Sequence, residues 1–294
     1  MIIASGRAAA TWTILNTNGE TIVSGLSSIA DGKPDTLARF KWGTNAQNLL
    51  STFRLRGEWT PPIVPGWFGL SNIGLPAGTR VECWLRRPGD PGGTYPYQPA
   101  AWLNNQRVVA HPRGGRTVWF WFKPGATAVL GVEFRIFNDV DNVVAIPPAT
   151  QFDLGEAVSP LLTTEIDVES DWQQYWIDPT TSKIEWTQSP SPTPGSPYRQ
   201  LTFRLPADDD TVFYGDPASP SAIDYDELLS LIDRGQTAVY VPWYLDGSGN
   251  ISSYLAHRTA MLGVTTKLPT VSHFDGPLFQ SSDAVTVIEA PIPV

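Results

Sequence analysis

Cysteine is almost absent from this 294-residue chain, which has a single one, Cys83. A disulfide within the chain is therefore excluded, and with it the small secreted scaffolds that disulfides hold together. We expect Cys83 to pack as a small apolar side chain. Long apolar runs are also missing: no stretch approaches the roughly eighteen residues of a membrane-spanning helix, and the first residues lack the apolar centre of a secretory signal. We predict a protein made in the cytoplasm, without a membrane anchor.

Charged residues are scarce at 17%, and the net charge of −9 disfavours a module that binds DNA or RNA. The charge is uneven. Residues 1–155 hold 14 Lys and Arg against 10 Asp and Glu, a balance of +4, and residues 156–294 hold 6 against 19, a balance of −13. One interpretation is ordinary variation between two domains. The other is an acidic surface past which DNA moves without binding.

Catalytic motifs are missing as well. The sequence has no GxSxG, HExxH, GxxxxGK[ST] or CxxC pattern, and its three histidines are far apart. The run NDVDN at 138–142 resembles the start of a calcium loop but lacks the later Gly and Glu, so it indicates an Asx-rich hairpin turn. The run DDD at Asp208–Asp210 indicates a solvated turn, with a weak divalent-ion site left open. We predict no enzyme activity and assign no catalytic, cofactor-binding or metal-binding residue.

Proline (27), glycine (25) and aromatic residues (11%) are abundant, which favours short strands joined by turns. The sequence predicts a mainly β fold, with an N-terminal jelly roll or β-sandwich followed by a smaller α+β domain, a β-sandwich with one helix. We expect the first domain at 1–158, a connecting segment at 159–198 and the second domain at 199–294. The connecting segment contains the proline-rich arm TQSPSPTPGSP at 187–197. The helix is expected at 222–234, and SSYLAHRTAMLGVTT (252–266) is expected to be a strand.

The run TVWFWFK at 117–123 places apolar side chains on both faces of one strand. We expect Val118, Phe120 and Phe122 to fill the sandwich core, with this strand paired to LGVEFRIFN across the turn PGAT. Trp119 and Trp121 then need a cover, which is a loop of the same module, the connecting segment or an adjacent subunit. The candidate interface residues are Trp119, Trp121, Trp172 and Trp176. The candidate residues for stacking on a sugar ligand are Trp67, Tyr95 and Tyr97.

Several longer segments resemble a known module. The stretch GVEFRIFNDVDNVVAIPPATQFDLGEAV (131–158) is similar to the closing strands of a galactose-binding-like (discoidin-like) jelly roll of long-tailed bacteriophage tail proteins. DGKPDTLARF and WFGLSNIGLPAGTRVECWLRRPGD resemble earlier parts of that module. DWQQYWIDPTTSKIEWTQ (171–188) resembles the segment that follows it. The last hundred residues share their order of elements with the ring-forming domain of distal-tail proteins. No sugar-binding loop set is recognisable.

The resemblance implies a virion protein of a phage tail tip or baseplate, a distal-tail-like adaptor between tail tube and hub or fibres. Its implied partners are those tail proteins and further copies of itself in a ring, with six as the matching number. DNA would pass through without specific binding. Two alternatives stay open: a receptor- or glycan-binding protein of the adhesion apparatus, and an enzyme that degrades surface polysaccharide.

Overall fold

The structure is a computed structural model. It describes the following residues: 2–5, 10–33, 36–43, 52–64, 66–99, 102, 105–110, 116–121, 128–143, 146–155, 157–158, 162–165, 173–178, 183–185, 198–203, 237–267, 271–273, 280–282 and 285–289. The chain is mainly β, with its sheets in a sandwich-like arrangement, so the predicted fold class is confirmed. The finer assignment to a galactose-binding-like jelly roll stays a prediction.

Three sheets build the N-terminal sandwich, and all of their pairings are antiparallel. The five-stranded sheet has the order β2 (Thr11–Leu15), β5 (Thr52–Ile63), β11 (Val129–Val140), β7 (Thr79–Arg86), β8 (Gln106–Arg107). The four-stranded sheet has the order β13 (Ala157–Val158), β6 (Trp67–Leu70), β10 (Arg116–Trp121), β9 (Val109–Ala110). The three-stranded sheet has the order β12 (Gln151–Leu154), β4 (Ala38–Lys41), β3 (Thr21–Ser24).

Alternation along the strands produces the sandwich core. In β7, Val81, Cys83 and Leu85 are fully buried and the residues between them are partly exposed, because successive side chains leave opposite faces of a strand. Cys83 packs in this core as expected, and burial raises the pKa of its thiol. Val118 and Phe120 belong to the same core, as predicted, and Phe122, the third residue expected on this face, lies outside the described residues.

Two predicted pairings are wrong. β10 pairs with β6 and β9, whereas β11 pairs with β5 and β7, so TVWFWFK and LGVEFRIFN lie in different sheets. Likewise β2 pairs with β5 and β3 pairs with β4, so the strands around NTNG form no hairpin. Both pairs are consecutive along the chain. Because β10 and β11 lie in different sheets, Phe120 packs against Phe134 across the sandwich core.

A separate eight-stranded sheet has the order β14 (Leu162–Glu165), β1 (Ile2–Ser5), β18 (Ala238–Val241), β19 (Met261–Lys267), β22 (Val285–Glu289), β17 (Tyr198–Phe203), β15 (Gln173–Asp178), β16 (Lys183–Glu185). The predicted domain limits need two corrections here. β1 was expected in the first domain but pairs with β14 and β18. The connecting segment at 159–198 supplies β14, β15 and β16 to this sheet. A two-stranded sheet joins β20 (Val271–His273) and β21 (Gln280–Ser282).

The described residues include two short helices. A 3-10 helix spans Leu26–Ala30, and helix α1 spans Ser253–Thr259. The side chain of Ser252 caps α1 by accepting the N–H of Leu255 at 3.3 Å. Strand was the wrong prediction for this part of SSYLAHRTAMLGVTT. The predicted helix at 222–234 and the arm at 187–197 lie outside the described residues. Among the described residues, no helix is long and apolar enough to cross a membrane.

Candidate functional site

The outward face of β10 is buried within a single chain. Trp119 and Trp121 are 1% and 3% exposed, and Trp67 on the neighbouring strand β6 is fully buried. These three tryptophans pack against apolar residues of the eight-stranded sheet and of α1, namely Ile2, Ala4, Val239, Val241, Ala256, Ala260 and Leu262. We call this contact between the two sheet systems the tryptophan junction.

The rings of the tryptophan junction are arranged in a defined way. Trp67 and Trp121 are stacked, with centroids 5.8 Å apart and planes inclined by 13°. Tyr244, just after β18, meets Trp121 edge-on at 5.7 Å. At about 200 Å² per ring and 25 cal/mol per Å², each indole contributes up to about 5 kcal/mol before ordering costs. Packing of these rings therefore stabilises the contact between the two sheet systems.

Gly69 makes room for one of these rings. It is the cross-strand partner of Trp119 in the β6–β10 pair. A Cβ added to Gly69 would overlap the six-membered ring of Trp119. The indole thus lies flat on the backbone of β6, which only glycine permits at this position.

His257 connects the two sheet systems by hydrogen bonds. β9 pairs with β10 only as far as Thr117. Beyond that point the N–H of Trp119 donates to Nδ1 of His257 at 3.2 Å, and Nε2–H donates to the Arg107 carbonyl at 3.1 Å. The donor at Trp119 requires an unprotonated Nδ1, so the ring is the neutral Nε2–H form. Burial, the largest cause, lowers the pKa of His257 to about 4.

Hydrogen bonding at the junction is unevenly distributed. Trp102, in the sandwich core, donates its indole N–H to the Trp121 carbonyl at 2.6 Å. By contrast, among the residues described, the indole N–H groups of Trp67, Trp119 and Trp121 have no hydrogen-bond partner. Packing of the rings, together with the two bonds of His257, therefore holds the junction.

The predicted interface residues are placed as follows. Trp119 and Trp121 are covered by the chain's own second sheet, so neither indole is accessible to an adjacent subunit. This corrects the candidate covers considered above, none of which included β1, β18 or α1. Trp176 lies in β15, opposite Glu185 of β16 and Arg199 of β17. Trp172 lies outside the described residues, and the role of both in an interface stays a prediction.

Two of the three residues proposed for sugar stacking are buried. Trp67 belongs to the tryptophan junction. Tyr95 is 3% exposed and lies over Gly131, with its hydroxyl donating to Glu58 at 2.8 Å. Burial and Glu58 raise the pKa of Tyr95. Stacking on a sugar requires an exposed ring face, so neither residue can serve as a sugar platform in this structure.

Tyr97 alone keeps part of its ring exposed. Its backbone exchanges two hydrogen bonds with Leu85, and the Arg87 guanidinium lies 4.2 Å from the ring centroid. A sugar stacking on that face would have to displace the cation. Tyr97 therefore remains a candidate with one of its two faces occupied.

Arginines and carboxylates cover the outer face of the five-stranded sheet. Glu133 on β11 is fully buried and pairs with Arg56 at 2.6 Å and with Arg135 at 2.5 Å. Arg135 also stacks on Trp84, with its guanidinium carbon 4.3 Å from the ring centroid. This network satisfies a buried charge, so it is best understood as structural.

The run NDVDN forms a hairpin turn, as predicted. Val140 and Val143 pair across it, and Asp141 and Asn142 have positive φ angles. The Asp139 carboxylate accepts the Asn142 N–H and pairs with Arg80 at 3.1 Å. Asp208–Asp210 lie outside the described residues. Within the residues described, no group of three or more His, Cys, Asp or Glu side chains is placed to hold a metal ion.

Sequence reasoning missed Gly69 and His257. For His257 the sequence did contain a signal: Ser252 is a good helix N-cap, and it indicates the helix that carries His257. For Gly69 no sequence signal existed, since its role depends on the pairing of β6 with β10.

No protein-family model, no curated protein and no solved structure matches the chain.

Proposed function

We propose that the chain is a structural protein of the tail tip or baseplate of a long-tailed bacteriophage. It would be a distal-tail-like adaptor in the virion that joins the tail tube to the hub or fibres. The observation that carries the proposal is the similarity of residues 131–158 and 171–188 to modules of such tail proteins. The first of these segments provides β11 and β12 of the sandwich, and the second provides β15 and β16 of the other sheet.

Two further observations support a structural role. The tryptophan junction joins the sandwich firmly to the eight-stranded sheet, which suits an adaptor that must transmit load between partners. The second half of the chain has a balance of −13, which suits a ring whose inner surface repels passing DNA.

The proposal is tested in the particle. Antibody-gold labelling of virions should mark the tail tip, and mass spectrometry of purified virions should detect the chain. Negative-stain images of the purified protein should show closed rings, with six subunits as the expected number. A chain absent from virions and monomeric in solution would overturn the proposal.

A receptor- or glycan-binding role in the adhesion apparatus is the second candidate. The observation that favours it is the partly exposed ring of Tyr97. Substitution Tyr97→Ala should then reduce adsorption to host cells while leaving particle assembly intact. Unchanged adsorption would remove this candidate.

A further inference from the structure

An exposed apolar surface follows β18. Trp243, Leu245, Ile251 and Tyr254 are 51%, 45%, 40% and 55% exposed, four large apolar side chains within twelve residues. Leu245 and Ile251 form an antiparallel bridge, so their side chains lie on the same side, and Trp243 is two residues before Leu245. We call these four residues the apolar hairpin.

The apolar hairpin is held in shape by hydrogen bonds. The Asp246 carboxylate accepts the N–H groups of Ser248 and Asn250, each at 2.9 Å, and these bonds lower the pKa of Asp246. At its base, the Thr259 hydroxyl donates to the Trp243 carbonyl at 2.7 Å. Its exposed side chains are therefore displayed by a preformed element.

The apolar hairpin also continues the tryptophan junction. Tyr244 points inward onto Trp121, and its two neighbours along the chain, Trp243 and Leu245, are exposed. A partner that covers the hairpin would extend an existing aromatic contact, on a turn that is already held by hydrogen bonds, which lowers the ordering cost of binding. Exposed surfaces of this composition mark interaction sites.

We propose that the apolar hairpin binds the proline-rich segment 187–197 of a second copy of this chain. That segment has four prolines in eleven residues and no charged residue. Such a sequence favours the extended polyproline conformation, whose rings pack on exposed tryptophan and tyrosine faces. The hairpin side chains are 40–55% exposed, so they are accessible to a second copy of the chain.

Charge supports this choice of occupant. The second half of the chain is strongly acidic, so two such halves repel when their charged surfaces meet. An uncharged segment that packs on the four apolar side chains of the hairpin adds no negative charge to this acidic half and so avoids the repulsion. The inference rests on the oligomeric part of the proposed function, since it names one contact between neighbouring subunits.

A peptide measurement tests the contact directly. A fluorescent peptide of residues 187–197 is titrated against the full chain in which Pro190, Pro192, Pro194 and Pro197 are replaced by Ala, which removes the competing segment. Saturable binding is expected, and adding Trp243→Ala should weaken it roughly tenfold or more, as for an anchoring aromatic residue. The matched control is Val143→Ala, another exposed apolar position at 64%, which should leave binding unchanged. A peptide with all four prolines changed to Ala should not bind.

A mixing experiment tests the contact between whole chains. The Trp243→Ala chain keeps its segment, and the chain with four Pro→Ala changes keeps its hairpin. Light scattering should show that neither associates through this contact alone, whereas their mixture forms a heterodimer. Circular dichroism of each variant checks that it is folded.

Three results would overturn the inference: no saturable binding of the peptide, peptide binding that is insensitive to Trp243→Ala, or glycan-array binding that Trp243→Ala abolishes. The third would assign the hairpin to a sugar. Other results distinguish a failure of this inference from a failure of the proposed function. If the peptide binds but virions lack the chain, the contact stands without the tail role. If virions contain the chain but the peptide does not bind, the ring uses another contact.

Discussion

At the scale of single residues, the tryptophan junction depends on the protonation state of His257, which its packing and hydrogen bonds keep neutral. His257 must be neutral, because its Nδ1 accepts the N–H of Trp119. Protonation would place two donors face to face, and the 6%-exposed ring could not recover hydration without opening the junction.

The first prediction concerns pH. The pKa of His257 is about 4 in the folded chain, against an ordinary 6.5, so between these values the unfolded chain binds more protons and stability rises with pH. The contribution is complete above pH 6.5 and is lost as pH falls towards 4, by about 3 kcal/mol in total. Denaturant titrations from pH 4 to 7.5 should show this loss in the natural chain and not in His257→Gln, which keeps a donor and an acceptor. The prediction would be contradicted if the unfolding free energies of the two chains changed with pH in parallel.

The second prediction separates ring packing from hydrogen bonding. Trp121→Ala should cost about 3–5 kcal/mol of unfolding free energy, because it opens a cavity in the junction. Trp121→Phe should cost less than Trp121→Ala, because the unbonded indole N–H is lost without breaking a hydrogen bond. Trp102→Phe is the contrasting variant: it leaves the buried Trp121 carbonyl without its donor, at an added cost of about 1–3 kcal/mol. Denaturation monitored by circular dichroism gives the three values, and an equal loss for both Trp121 variants would contradict the packing account.

At the scale of secondary-structure elements, β10 is the strand that belongs to both cores. Its Val118 and Phe120 fill the sandwich, and its Trp119 and Trp121 fill the junction. Its partner β6 contributes in the same way, with Phe68 and Leu70 inward and Trp67 outward. The pairing of these two strands therefore fixes the position of one sheet system relative to the other.

The third prediction tests that pairing. Gly69→Ala should displace the Trp119 ring and lower the unfolding free energy by about 1–3 kcal/mol or more, because the backbone on which the ring lies cannot move away. The matched control is Gly92→Ala, where an added Cβ meets nothing within 4 Å. The thermal midpoint and the near-ultraviolet circular dichroism of tryptophan report the effect. A Gly69→Ala chain as stable as the control would show that the junction is loosely packed.

At the scale of the whole molecule, the N-terminal strand ties the two ends of the chain together. β1 lies between β14 and β18, and its Ile2 and Ala4 enter the tryptophan junction. One sheet thus combines strands from the first five residues and from the last hundred, and its apolar face covers the sandwich. We expect the chain to unfold as one cooperative unit.

The fourth prediction follows from this arrangement. Calorimetry should show a single transition, with the calorimetric and van't Hoff enthalpies equal. Deleting residues 1–9 should remove cooperative unfolding or lower the midpoint strongly, because β14 and β18 lose their shared partner and the tryptophans are uncovered. The control is Ile22→Ser, a change at an exposed position that should leave the midpoint nearly unchanged. Two separate transitions in the intact chain would contradict the prediction.

Strands with one buried face were predictable from the sequence, because alternation of apolar side chains is a local property. β7, β10 and β11 were predictable in this way, and so were the inward side of β10 and the turn at NDVDN. The abundance of proline and glycine likewise indicated a mainly β chain, and the lone cysteine excluded disulfides.

The elements that cover Trp119 and Trp121 could not be predicted from the sequence. Their partners come from β1, β18 and α1, which lie more than a hundred residues away in either direction along the chain. The sequence of an apolar strand face does not specify which element will cover it. The same limit explains Trp67 and Tyr95, whose aromatic rings suggested exposure to a ligand but are buried by distant strands and loops. Burial of aromatic area is non-directional, so many covers satisfy a given face, and the topology of the whole chain selects one.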